Sequence, residues 1–418
     1  MALLGKKAAT TIPGPTLDDF ADAQRVLEGA AQTTPMEISR YLSEELGQPV
    51  HLKCENLQRT GSYKIRGAYY RMSKLTQEER SHGVVAASAG NHAQGVAFAA
   101  REQGIKATIF TPIGVALPKL QATKAYGAEV VLGGDTIVEP LREAAAFAER
   151  TGAIRIPPFD HPDVIAGQGT VGLEILDQTP EVTTVIVPIG GGGLMAGVAS
   201  VMKQTAAREG REIRVIGVQA ENAASYVPSL AKGKPVEIEL GPTISDGIAV
   251  SKPGNLNFDI ISRCVDEVVT VSDDESATAI LVLLERAKMV VEPSGAAGVA
   301  AILAGKIKAT GPTVVILSGG NIDPMILERV ISRGMAAAGR YMKLRIPLPD
   351  RPGQLARTSE IVASQNANVV EVLHTRHGTG LQISQVELEL HIETRGPEHA
   401  QAVLQALRDE GYEPRLDF

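Results

Sequence analysis

The chain has 418 residues, more than one ordinary domain of about 100–200 residues holds, so two or three domains are expected. With 44% hydrophobic and 21% charged residues it has globular composition, which excludes wholesale disorder. Its 48 acidic against 41 basic residues give a net charge of -7, and aromatics are 4% with no Trp, so the basic footprint and stacking platform of a nucleic-acid binder are missing.

In chain order, the N-terminal MALLGKKAAT lacks the apolar core of a signal peptide, and a cytoplasmic protein is expected. Strand-like runs follow at 49–55 (PVHLKCE), 84–89, 107–112, 129–134, 184–190, 214–220, 267–272 and 313–320. Between them lie helix-like runs, among them IRGAYYRMSKL, HAQGVAFAAREQ, EPLREAAAFAER, GVASVMKQTAAREG and DESATAILVLLERAK. Asp273, Asp274 and Glu275 suit the positive end of the last of these. Strands alternating with helices predict an α/β fold of parallel sheets, with ligands at the C-terminal strand ends. The Gly-, Ser- and Asn-rich turns SAGN, GGGG and SGGN stand at such ends. The uncharged run Val182–Met202 contains Pro188 and four consecutive glycines, so it reads as strand, loop and helix rather than a membrane span. Cys54 and Cys264 alone form neither a disulfide framework nor a metal spacing.

After residue 339 the pattern changes. Residues 341–418 read strand, turn (PDRPGQ), helix, strand, hairpin turn (HGTG), strand, helix and a last short strand. That βαββαβ order is ferredoxin-like and predicts a separate small domain.

Four runs carry chemistry. In Gly61-Ser62-Tyr63-Lys64-Ile65-Arg66, Lys64 sits at a strand–loop–helix junction. Such a lysine is either a solvated surface group or, if desolvated, an imine-forming nucleophile. Ser88-Ala89-Gly90-Asn91-His92 reads either as a helix cap or as an anion cradle for a carboxylate. Gly190-Gly191-Gly192-Gly193-Leu194 favours a phosphate site over a plain turn, because glycines let backbone N–H groups approach an anion. Gly191, Gly193 and Ala196 also fit a dinucleotide fingerprint, but the acid after the next strand, Glu221, comes too late, so one phosphate is favoured and a nicotinamide oxidoreductase is disfavoured. Ser318-Gly319-Gly320-Asn321 offers a hydroxyl at a strand end.

Together, and in this order, these runs resemble the fold-type II pyridoxal-phosphate enzymes, most of all the threonine ammonia-lyases (threonine dehydratases). The likeness extends to Glu292-Pro293-Ser294-Gly295 and to residues 159–174, and the 341–418 unit, with its Leu-Pro-Asp-Arg-Pro-Gly turn, resembles an ACT regulatory domain. The resemblance implies a two-lobed, tryptophan synthase β-like catalytic domain over 1–335, with a small lobe of approximately 50–158 inserted in the large one. It implies pyridoxal 5'-phosphate on Lys64, which would also act as base. It places the cofactor phosphate on Gly190–Leu194, Asn91 at the ring oxygen and Ser318 at the ring nitrogen. A neutral hydroxyl there favours loss of a β-substituent over transamination. The substrate carboxylate would sit on Ser88, Ala89, Gly90, Asn91 and His92.

The expected reaction is deamination of L-threonine to 2-oxobutanoate, with L-serine a lesser substrate, on the route to isoleucine. Serine racemase is the nearest rival, but its loop carries a serine where Ala89 stands here. A hydroxyaspartate dehydratase and a catalytically inactive amino-acid sensor stay open as well. Gln219 and Ser225 occupy positions where related racemases place metal-binding acids, so no tight divalent site is expected. A homodimer or homotetramer is expected, with Gly353, Leu355 and Asn368 as candidate contacts for a branched-chain amino-acid effector.

Overall fold

The computed structural model describes residues 2–3, 12–376 and 384–417. They form two compact units, 1–326 and 327–418.

The first unit contains two sheets. The larger has seven strands, in the edge-to-edge order Ala2–Leu3, Glu267–Val271, Arg214–Ala220, Thr184–Pro188, Thr313–Ile316, Val50–Lys53 and Met36–Ile38. The five inner strands are parallel and the two edge strands antiparallel. Thr184–Pro188 is buried along its whole length, which is why it reads as a continuous apolar run rather than an alternating one. The smaller sheet orders Glu129–Leu132, Ala107–Thr111, Val84–Ala87 and Ile154–Arg155, all parallel. Strand Val50–Lys53 pairs with Thr313–Ile316 in the larger sheet.

The helices Pro162–Gln178 and Gly193–Glu209 pack closely against each other. Their contact requires glycine: a Cβ on Gly197 would lie 2.6 Å from the Gly169 amide and the Ile165 carbonyl. Ser272 caps helix Asp273–Val282 through a capping box with Glu275, at the position the acidic run marks.

The second unit has the sheet order Asn368–Thr375, Gln385–Glu393, Tyr341–Pro349, Arg415–Asp417, antiparallel throughout, with helices Gln354–Ser364 and Pro397–Asp409. Alternate residues Met342, Leu344, Ile346 and Leu348 point into its core beside Val362, Val403 and Leu407. This is the ferredoxin-like arrangement. The HGTG turn at 377–380 lies outside the described residues.

Candidate active site

Lys64 begins helix Lys64–Ser73. The preceding turn is tied to the end of strand Thr313–Ile316: Ser62 bridges to Gly319, and the Tyr63 N–H donates to the Ser318 carbonyl at 3.2 Å. The half-buried Lys64 side chain donates from Nζ to the Pro158 carbonyl at 3.0 Å. Burial pushes its pKa down to about 8, against the opposing field of Glu292.

Lys64, Ser88–His92, Gly190–Leu194 and Ser318 come from four separate stretches of chain, and all line one cavity of about 570 Å³. That volume suits a small ligand with its cofactor. The loop before helix Asn91–Gln103 turns on Ser88, whose Oγ accepts from the Gly90 N–H at 3.1 Å. Ala89 lines the cavity and carries no group able to move a proton. Asn91 is engaged on both sides: its Nδ2 donates to Glu292 Oε1 at 2.7 Å, and its Oδ1 accepts from Asn321 Nδ2 at 2.9 Å. His92 is committed differently from its neighbours. Its Nε2 meets the Ile156 carbonyl at 2.9 Å, and burial, aided by the Lys64 charge, pushes its pKa down to about 3. It is therefore a neutral imidazole donating to backbone, which fixes the loop that Ser88 and Asn91 occupy.

The glycine run opens helix Gly193–Glu209, which has no side-chain cap. Its first N–H groups lack intrahelical acceptors and carry the positive end of the helix field. The Gly191 carbonyl is turned away and accepts from Asn257 Nδ2 at 2.9 Å and Tyr226 Oη at 3.2 Å. A Cβ on Gly191 would overlap Phe159, and one on Gly192, at φ +102°, would overlap Tyr226 Oη.

Several further groups take a place in or beside the site that local sequence does not indicate. Glu292 precedes Pro293 at the start of helix Pro293–Leu303 and is 3% exposed, with its carboxylate in the cavity. Burial, together with Asp246, pushes its pKa up to about 7. Lys119, on helix Leu117–Ala125, pairs with Asp246 across the cavity at 2.9 Å. Gln219 is buried and bonded to the Ile189 carbonyl and the Tyr226 N–H. Among the described residues no group of three or more His, Cys, Asp or Glu could hold a metal ion, and no helix is long and apolar enough to cross a membrane. In the second unit, Gly353 (φ +91°) precedes helix Gln354–Ser364, Leu355 is exposed on its first turn, and Asn368 opens an exposed strand.

The model of the pyridoxal-phosphate dependent enzymes matches residues 27–319. The chain belongs to this family. It is 46% identical to the L-threonine ammonia-lyase of Thermotoga maritima over 96% of this chain and 99% of that one. It is 45% identical to the catabolic L-threonine dehydratase of Escherichia coli K12 over 73% of this chain and 93% of that one. The solved structure of maize serine racemase superposes with a TM-score of 0.70 at 35% identity, covering 75% of this chain and 97% of that one. Fold alone therefore does not separate lyase from racemase.

The cavity fits the family's cofactor. The glycine cradle has no room for a Cβ, its helix terminus presents amides to an anion, and the buried Ser294 Oγ lines the same cavity without a partner among the described residues.

Proposed function

We propose that this enzyme deaminates L-threonine to 2-oxobutanoate and ammonia, with pyridoxal phosphate as cofactor and L-serine as a lesser substrate yielding pyruvate. The observation that carries the reading is a single one: an amine with its pKa near 8 faces the same cavity as a bare glycine-rich helix terminus. Two relatives named for this reaction, matching 96% and 73% of the chain, support it.

In this reading the amides of Gly190–Leu194 would hold the cofactor phosphate, the Ser318 hydroxyl would serve the ring nitrogen, and the second N–H of the Asn91 amide would be left for the ring oxygen beside the one given to Glu292. When bound, the cofactor supplies an electron sink that acidifies the substrate Cα–H. Lys64 takes that proton. Ser88, Ala89, Gly90 and Asn91 orient the substrate carboxylate, and His92 holds their loop. The β-hydroxyl departs as water, and hydrolysis of the released enamine takes water up again, so the net products are keto acid and ammonia. Serine lacks one methyl, worth about 1–3 kcal/mol of discrimination, so measurable pyruvate is expected. Keto-acid release from a panel of L- and D-hydroxy amino acids tests the assignment. No product from L-threonine with cofactor-loaded protein would overturn it.

Ala89 favours lyase over racemase. Racemisation needs a proton donor on the face opposite Lys64, and a methyl group supplies none. Chiral analysis of L-serine after long incubation should show pyruvate and almost no D-serine. Ala89→Ser should raise D-serine formation; comparable rates of the two products in the wild type would count against the argument.

The second unit is read as an ACT-type module that binds isoleucine or valine near Gly353, Leu355 and Asn368 and joins copies into a dimer or tetramer. In the same reading the enzyme works in the cytoplasm, on the route to isoleucine. The relative matching 96% of this chain spans the module, whereas the catabolic relative matches 73%. Binding should change threonine affinity through a coupling of about 1–3 kcal/mol. Calorimetry of the full chain should give heat with either amino acid, and a chain ending at Gly339 should keep activity but lose the response. No heat, together with unchanged threonine kinetics, would leave the module a purely structural one.

A further inference from the structure

Loss of the β-hydroxyl requires a proton that Lys64, occupied at Cα, does not deliver. The cavity presents few groups able to give one. His92 is neutral, and its Nε2 is spent on the Ile156 carbonyl. Lys119 is held by Asp246 at 2.9 Å, and although burial works against its charge, Asp246 and Glu292 raise its pKa, so it keeps its proton. Asp246 is itself the partner in that pair, with 61% of its side chain exposed. The serine hydroxyls of the cavity are far weaker acids than a carboxyl.

Glu292 differs from all of these. Its Oε1 is fixed by Asn91 Nδ2 at 2.7 Å, and Asn91 is fixed in turn by Asn321, whose Nδ2 also donates to the Thr60 carbonyl at 2.7 Å. Among the described residues nothing bonds Oε2, and the residue lines the cavity. Gly319, next to Ser318, leaves room for this carboxyl: a Cβ there would overlap Oε1. The carboxyl is thus held at one oxygen and open at the other, beside the Ser318–Gly319 turn that is bridged to the Lys64 loop.

We infer that Glu292 is the acid that protonates the departing β-hydroxyl. The Cβ–O bond breaks, its electron pair leaves with oxygen, oxygen takes the proton from Glu292, and water departs. Glu292 remains as carboxylate and is reloaded from solvent. A pKa raised to about 7 leaves it substantially protonated at neutral pH. The charged and titratable groups facing it are Asp246, Lys119 and Lys64, with Tyr63 also within its field, and of these Asp246 raises and the two lysines lower that value.

The inference rests on the threonine-lyase reading, and a substrate whose leaving group needs no proton separates the two. β-Chloro-L-alanine expels chloride with its bonding pair. Glu292→Gln keeps an oxygen for Asn91 to bond but cannot give a proton. Initial rates with threonine should fall by about 10²–10⁴-fold. Rates with chloroalanine should fall by less than tenfold, and Glu292→Asp should recover part of the threonine activity. Cofactor content and melting temperature should match the wild type, and the infrared band of a protonated carboxyl, present in the loaded wild type at pH 6, should be missing from Glu292→Gln. In the wild type, the threonine-to-chloroalanine rate ratio should fall as pH rises past 7. Equal losses with both substrates, or a ratio indifferent to pH, would overturn the inference. A wild type that yields no keto acid from threonine would overturn the underlying reading and this inference with it.

Discussion

Lys64→Ala should lower threonine deamination by at least about 10³-fold while leaving a folded protein. The loss is large because one amine performs two tasks, covalent attachment of the cofactor and removal of the α-proton. Acid–base work alone is worth about 10²–10⁴-fold, and the covalent role adds to it. The fold should survive because Lys64 is lightly anchored: among the described residues its Nζ makes one hydrogen bond, to the Pro158 carbonyl, and no ion pair. Truncation leaves that carbonyl short of a donor, a cost of about 1–3 kcal/mol, but strands no opposite charge. Rates with threonine, the visible absorbance of bound cofactor and a melting curve check the three parts separately. Activity within tenfold of the wild type would remove Lys64 from the chemistry.

Much of this architecture is legible in the sequence, and the reason is physical. Most of the parallel strands are buried on both faces and so appear as short Val- and Ile-rich runs, the edge strand Glu129–Leu132 being the partly exposed exception among the eight expected runs, all of which contain a strand. The second unit was legible by a different pattern, strict alternation along Tyr341–Pro349 and Gln385–Glu393. Met36–Ile38 and Ile154–Arg155 were not, because strands of three and two residues carry no periodicity. Neither was the strand order, which depends on pairings far apart in the chain. In the site, glycines and the Ser/Asn loops stood out because they do backbone work at strand ends. Lys119 and Asp246 did not: each is a lone charge in its own segment, and only the fold brings them within 2.9 Å. Glu292 was visible as part of a motif, but its burial beside Asn91 and Gly319 was not.

The least legible feature lies directly behind Lys64, and it supports the second large prediction. Arg66, 1% exposed, donates from Nε and Nη2 to the two oxygens of Glu55 at 2.8 Å and from Nη1 to Glu174 at 2.6 Å. Lys53 Nζ completes the cluster on Glu174 at 2.6 Å, and Thr34 Oγ1 donates to Glu55 at 2.6 Å. Each of these charges would be taken for a solvated one in sequence. Together they join the helix that begins at Lys64 to the end of strand Val50–Lys53 and to helix Pro162–Gln178. Burial alone would raise the pKa of Glu55; the Arg66 guanidinium and the Lys53 charge reverse that and hold it below the ordinary carboxylate range. Two cations balance two anions, so removing one leaves a buried charge unpaired. Arg66→Met should therefore destabilise the protein by about 3–5 kcal/mol at neutral pH. The sign with pH follows from linkage. In the wild type the depressed Glu55 contributes stability above the unfolded carboxylate pKa and loses it as pH falls. In Arg66→Met the uncompensated burial raises the Glu55 pKa, so the variant is penalised most at neutral pH and recovers as the carboxyl takes up a proton. The stability gap should thus narrow on acidification from pH 7 to pH 5, measured by denaturant melts of the two proteins. Adding Glu55→Gln to Arg66→Met should restore part of the loss, because it removes the stranded charge that causes it. A gap that stays constant with pH, or a double variant no more stable than Arg66→Met, would mean that packing of the long arginine side chain, rather than charge balance, holds the Lys64 helix in place.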